Sequence, residues 1–211
     1  MIFWDNVKSL FNTGSQCVFC GTELPLGEKI CSACSEQEKK LRKVRTAENG
    51  AAYIYAYDGI VRGLLHSLKY NDNISGAYYA AEVMTKELNT FNIDFKNSIL
   101  TNVPIHKDRL RTRGFDQCAV IAKRIADLSG IRYLKLFERV KKTKAQFKLN
   151  AEERAENMKD AFRLIYNAGL SGKTVILIDD ICTTGITLNE CIKLLSENIN
   201  PFPYVFAYEN I

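Results

Sequence analysis

No stretch of the sequence approaches the roughly 18 uninterrupted apolar residues needed to cross a bilayer, so no stable insertion into a membrane is expected. Residues 1–11 have neither a basic n-region nor an apolar h-region, and an export signal is not expected there. With 4 prolines and 12 glycines in 211 residues, no segment carries the Pro/Gly/Ser bias of disordered or repetitive chains. A disulfide framework is not expected either. The seven cysteines are odd in number and fall as two close pairs and three singles, a metal-site pattern in a reducing compartment. The expected location is therefore cytoplasmic.

What is present fits one ordinary domain with a small appendage. The hydrophobic share of 46% and charged share of 25% are those of a globular protein. The net charge of +5 is uneven: residues 106–148 hold thirteen Lys/Arg against four Asp/Glu, so the rest of the chain is net negative. A local positive field of this kind suits a polyanion, a pyrophosphate or a nucleic-acid backbone, although solvated helix faces produce such runs too.

Cys17, Cys20, Cys31 and Cys34 form two Cys-x2-Cys pairs around a ten-residue, turn-rich spacer. Four thiolates at these spacings satisfy tetrahedral Zn²⁺ and leave no open position, so the site is read as structural. Cys118, Cys182 and Cys191 are read as small apolar residues. Residues 36–45 are dense in charge and read as a short helix or linker, which sets the expected division at 1–45 for the zinc module and 46–211 for the main domain. Beyond it, strand-like and helical patterns alternate: strand 51–57, helix 60–70, helix 77–88, strand 98–103, helix 114–128, strand 133–137, strand 174–178, helix 187–196 and strand 203–208. That alternation implies an α/β fold with a parallel or mostly parallel sheet flanked by helices.

The densest signal is the apolar run Val175-Ile176-Leu177-Ile178, then Asp179-Asp180, then Thr183-Thr184-Gly185-Ile186-Thr187 entering a helix. Free backbone N–H groups at a helix start receive a phosphate, Gly185 permits close approach, and the threonine hydroxyls add donors. The two carboxylates would repel a phosphate and are expected to face paired sugar hydroxyls. An ordinary strand end and capped turn is the plainer alternative, but open α/β sheets place ligands at the carboxyl ends of their strands.

These residues resemble the signature of type I phosphoribosyltransferases that binds 5-phosphoribosyl-1-pyrophosphate (PRPP). The resemblance implies that Asp179 and Asp180 bind the ribose hydroxyls and that Thr183, Thr184, Gly185, Ile186 and Thr187 bind the 5-phosphate. Thr183 stands where purine-salvage members carry a carboxylate, which speaks against a 6-oxopurine acceptor.

Val103-Pro104-Ile105-His106-Lys107-Asp108-Arg109-Leu110-Arg111-Thr112-Arg113-Gly114-Phe115-Asp116-Gln117, then Thr143, Gln146, Leu149, Arg154, Asn157, Ala161 and Phe162, together with the cysteine pairs, resemble the ComF family of competence-associated proteins over nearly the whole chain. Asp116 departs from the family's usual Asn. The segment after Val103 reads as a loop whose Lys107, Arg109 and Arg113 suit a pyrophosphate leaving group, or else are solvated. His106 is an even-handed candidate for the same role, and His66 reads as a partly buried structural residue. Residues 139–148 correspond in the resemblance to a loop that closes over PRPP. Mg²⁺ would accompany the pyrophosphate with few direct protein ligands.

Two functions follow. One is magnesium-dependent transfer of a phosphoribosyl group to an unidentified nucleophile, with no residue nominated as general base. The other is a PRPP-sensing module that holds single-stranded DNA or a helicase. The resemblance implies a role in natural transformation, in uptake or processing of the incoming strand.

Overall fold

The computed structural model describes residues 15–70, 73–143, 151–166 and 168–209. Its centre is a six-stranded sheet in the order β3-β4-β10-β9-β5-β6, made of β3 (Arg42–Thr46), β4 (Ala52–Ala56), β10 (Asn200–Tyr208), β9 (Thr174–Cys182), β5 (Ser98–Asn102) and β6 (Arg132–Tyr133). All neighbours run parallel except β3, which pairs antiparallel with β4. The expected α/β architecture is thus observed.

Alternation along the central strands divides the core into two layers. Ile176, Ile178, Tyr204 and Phe206 pack beneath α2 (Gly59–Tyr70), α3 (Ile74–Leu88) and α5 (Gln117–Ser129). Val175, Leu177 and Val205 face the opposite layer, where α6 (Ala151–Met158), α7 (Ile186–Ile192) and a small hairpin of β7 (Phe137–Arg139) and β8 (Phe162–Leu164) cover them. Helical spacing puts Ile60, Leu64, Leu65 and Leu68 on one face of α2; the three leucines are fully buried there and Ile60 is partly buried against the same core. Among the described residues no helix is long and apolar enough to cross a membrane.

β10 lies in the middle of the sheet although it contains Pro201 and Pro203. The prolines are tolerated because pairing with β4 begins only at Tyr204, so residues 200–203 are paired on the β9 side alone. Asn200 donates its N–H toward β9, and strand alternation then points the positions without N–H the other way.

Several elements differ from the sequence reading. β9 continues through Asp179 and Asp180 to Cys182. The basic segment is a helix, α4 (Lys107–Arg113), rather than a loop: His106 Nδ1 accepts from the Asp108 N–H at 3.3 Å, and Gly114 ends the helix in a left-handed conformation at φ 81°. The single strand expected at 133–137 is split between β6 and β7. The second cysteine pair opens α1 (Ser32–Leu41), with Cys31 as its cap and Cys34 in its first turn, and the helix runs directly into the edge strand β3. Arg42 at that junction bonds Glu38 of α1 at 3.0 Å, the Tyr55 hydroxyl of β4 at 3.1 Å, and Glu87 of α3.

Candidate functional site

The amino-terminal segment folds around its cysteines. A two-stranded ribbon, β1 (Ser15–Gln16) with β2 (Glu23–Leu24), and the start of α1 bring the Sγ atoms of Cys17, Cys20, Cys31 and Cys34 within 4.8 Å of one another. Cys20 and Cys31 are 3.8 Å apart, which is the edge of a tetrahedron with metal–sulfur bonds of about 2.3 Å. Backbone N–H groups of Cys31 and Cys34 point at Cys17 Sγ and Cys31 Sγ, each at 3.4 Å, an arrangement that favours thiolate. Hydrogen bonding to Thr22 holds the exposed Cys20 thiol down at about 6. The four-cysteine cluster could hold a metal ion, and its donor set is that of structural zinc. Val18 enters the main core, Phe19 meets Tyr79 of α3 edge-on at 5.3 Å, and Lys29 pairs with Glu82.

The second site lies at the carboxyl end of β9. Asp180 is only 3% exposed. Its Oδ2 receives the Lys69 ammonium at 3.0 Å and Gln117 Nε2 at 3.1 Å. Gln117 Oε1 in turn accepts from Arg113, so a continuous chain runs from the basic helix α4 to the acidic pair. Asp179 Oδ1 accepts from the Asp180 N–H at 2.9 Å and from the Cys118 thiol at 3.3 Å. Burial, reinforced by the neighbouring Asp180 charge, pushes Asp179 up to about 7. Burial opposes the Lys69 charge, but the Asp180 and Asp179 carboxylates outweigh it and hold that lysine above its ordinary value. Two carboxylates against one ammonium leave this pocket short of positive charge, so it is disposed to receive donors or cations.

Arg139, at the end of β7, feels the charge of the pair: burial and then Arg109 pull it down to about 10, while Asp179 acts in the opposite sense. It stacks on Phe162 at 5.5 Å and donates to Thr143, and its buried Nε has no hydrogen-bond partner. Lys142 closes onto Asp108 of α4 at 3.0 Å. Of the expected closing loop, residues 144–148 lie outside the described residues.

Following β9, Thr183 and Thr184 are partly exposed, and Gly185 adopts φ 78° as it caps α7. A side chain at 185 would place a Cβ only 2.9 Å from Asn49 Nδ2. Asn49, in the β3–β4 turn, donates to Thr183 O at 3.4 Å and to Cys182 Sγ at 3.3 Å, which seats the turn of 183–187 against the sheet. α7 has only seven residues, so donors in this turn come from backbone N–H groups and threonine hydroxyls more than from a helix dipole.

The fold therefore brings together Asp179, Asp180 and the 183–187 turn on consecutive residues of one strand end. Arg113 reaches the acids through Gln117, and the Arg109 charge acts on Arg139. Lys107 is exposed and acts instead on Glu138. His106 is buried as the cap of α4, and His66 is exposed, unlike the partly buried residue expected. Cys182 is buried, and burial raises its thiol to about 11. Asp116, the residue expected to be Asn, caps α5 through Ala119 N–H and accepts from Ile105 N–H and Asn102 Nδ2.

Lys69, Asn49 and Arg139 were not singled out by sequence. Lys69 had a signal: it continues the buried Val61–Leu65 stripe at a further four-residue step, a cation where a core residue is due. Asn49 carried only an Asn-Gly turn signal.

Residues 117–201 match the phosphoribosyl transferase domain, a span that begins at Gln117 and includes both acids and the 183–187 turn. The chain is 29% identical to Competence protein F of Haemophilus influenzae, over 85% of this chain and 77% of that protein. It is 26% identical to Competence protein ComFC of Streptococcus pneumoniae, over 82% of this chain and 76% of that one. The chain is thus similar to competence proteins over most of its length. A further relative is DNA utilization protein YhgH of Salmonella typhi, 27% identical over 87% of this chain and 79% of that one. Among solved structures, UMP synthase of Leishmania donovani aligns with a TM-score of 0.36 at 18% identity, covering 82% of this chain but only 31% of that one; a likeness this low carries no weight beside the family match.

Proposed function

We propose that this protein is a member of the ComF family, that it binds PRPP as its magnesium complex at the carboxyl end of β9, and that it serves natural transformation in the cytoplasm by handling incoming DNA. The observation that supports the PRPP reading most is the adjacent pair of partly exposed Asp179 and buried Asp180, short of positive charge, immediately before a threonine-rich turn with a glycine at positive φ. In this reading the two carboxylates accept from the ribose hydroxyls. The N–H groups and hydroxyls of Thr183, Thr184, Gly185, Ile186 and Thr187 take the 5-phosphate. Arg109 and Arg113 of α4 would meet the pyrophosphate, with Lys107 joining them only by turning away from Glu138. Mg²⁺ would neutralise the pyrophosphate; Asp180 is already engaged by Lys69 and Gln117 and Cys118 is a poor magnesium ligand, so its ligands would come mainly from PRPP and water. Zinc held by Cys17, Cys20, Cys31 and Cys34 would fix the amino-terminal module on α3.

The reaction such a site supports is phosphoribosyl transfer. The bond from C1 to the pyrophosphate oxygen breaks, pyrophosphate leaves with the electron pair onto the basic helix, and an acceptor lone pair closes on C1 before its proton passes to solvent. A second reading, a PRPP sensor that holds single-stranded DNA or a helicase, is favoured by Thr183, which cannot take a proton from an acceptor. The names of the relatives, competence and DNA utilization proteins, support a DNA-related role under either reading. Equilibrium dialysis of radiolabelled PRPP, paired with an assay for pyrophosphate release, tests both. Binding with slow release of pyrophosphate on adding a nucleophile supports transfer, binding with no release under any acceptor supports the sensor, and no binding removes both.

A further inference from the structure

We infer that the cleft at the amino ends of β9, β5 and β6 is a second binding site, for the phosphates and one ring of a nucleotide in a single nucleic-acid strand. The cleft measures about 420 Å³ and is lined by Lys96, Arg132, Lys173 and Tyr166, with Ser98 and Leu134 at its base; small-ligand sites run from about 300 to 1,000 Å³. Strand register sets its chemistry. Ser98 pairs with Thr174, and Ile99 with both Val175 and Arg132, so the three cations stand at the start of three neighbouring strands, spread over roughly 10 Å at the usual strand spacing. Among the described residues no carboxylate lines the cleft. None of the three cations forms an ion pair with a described residue, and Lys173 meets only Asn97 Oδ1 at 3.5 Å.

Three cations confined to one cleft without a counter-charge create a field that a polyanion relieves. Tyr166, 41% exposed, offers beside them a ring face on which a base can stack. Another cleft, beside β3, β4 and β10, provides a contrast: Lys43 and Arg45 there are outnumbered by Glu48, Asp58 and Glu209, which suits no phosphate chain. The proposed site lies at the opposite end of β9 from Asp179. Five residue steps separate that acid from Thr174, about 16 Å along the strand, so PRPP and a nucleic-acid strand could be held together. The DNA-handling part of the proposal above supplies only the choice of probe; the site does not depend on PRPP binding.

The test is fluorescence anisotropy of the full chain with a labelled oligothymidylate of about twelve nucleotides, across a salt series. The Lys96→Ser/Arg132→Ser/Lys173→Ser triple variant should weaken binding at least about tenfold and lower the slope of log affinity against log salt by about 2, at roughly 0.7 per phosphate contact on a single strand. Tyr166→Ser should weaken binding with the slope unchanged. Competition by thymidine monophosphate that the triple variant abolishes would assign the site to free nucleotides, and its failure to compete would assign it to the strand. PRPP titrated into the same variants should bind as in the wild type, so loss of this site and loss of the PRPP site read out separately. A triple variant that binds oligothymidylate with wild-type affinity and slope, or a wild type that binds neither probe, overturns the inference.

Discussion

Asp179→Asn should make the protein more stable at alkaline pH while removing its capacity for PRPP. The asparagine Oδ1 can still accept from the Asp180 N–H and the Cys118 thiol, the two bonds that hold Asp179, so the geometry survives and only the charge is lost. In the folded protein Asp179 titrates at about 7 against an ordinary 3.8. The native state therefore keeps a proton that the unfolded chain has released, and stability declines as pH rises from about 4 to about 7, with the full loss present above that. Three units at about 1.4 kcal/mol each bound the effect at about 4 kcal/mol. Partial exposure of Asp179 lets water share in solvating the charge, so about half, some 2 kcal/mol, is the expected gain. Urea denaturation near pH 8 should show the variant about 2 kcal/mol more stable, equivalent to a rise of roughly 4–8 °C in Tm. Near pH 4.5 the two proteins should differ by much less. A variant no more stable than wild type near pH 8, or one with the same gain at both pH values, would refute the reasoning.

Lys69→Met leaves Asp180 buried with Gln117 as its remaining side-chain donor and should destabilise by about 3 kcal/mol, the lower end for a broken buried pair because the lysine side chain retains 25% exposure; urea denaturation should show the Lys69→Met/Asp180→Asn double variant recovering part of that loss. Gly185→Ala forces φ 78° on a residue with a Cβ and displaces Asn49. It should cost about 1–2 kcal/mol and weaken PRPP binding, read by thermal melting and by calorimetry. Plasma mass spectrometry of the purified chain should find one zinc per molecule; Cys34→Ser should lower that ratio, and chelation should lower Tm.

Much of the scaffold was legible because its signals are periodic. The run Val175–Ile178 is apolar on both faces and reads as a buried parallel strand, and Leu64, Leu65 and Leu68 announce the inner face of α2. What escaped depends on contacts distant in sequence. Two adjacent aspartates ordinarily end a strand, yet β9 continues through them because Lys69, 111 residues earlier, and Gln117 satisfy Asp180. α4 has a single apolar residue, Leu110, and that is 43% exposed, so no hydrophobic period could reveal it; His106 and Gly114 set its ends instead. β3, with the sequence Arg-Lys-Val-Arg-Thr, reads as linker because a charged edge strand buries little and is guarded by its charges. At the candidate site the acids and the turn were legible as a contiguous motif, whereas Asn49 and Arg139 reach it only through the fold.

The most direct measurement of the central claim is calorimetric titration of PRPP into the zinc-loaded protein, with and without Mg²⁺, beside the Asp179→Asn/Asp180→Asn double variant. One PRPP per chain, bound only with magnesium and not by the folded variant, is the expected result. No heat from the wild type, or the same binding in the variant, would contradict the assignment of β9 and its turn as the PRPP site.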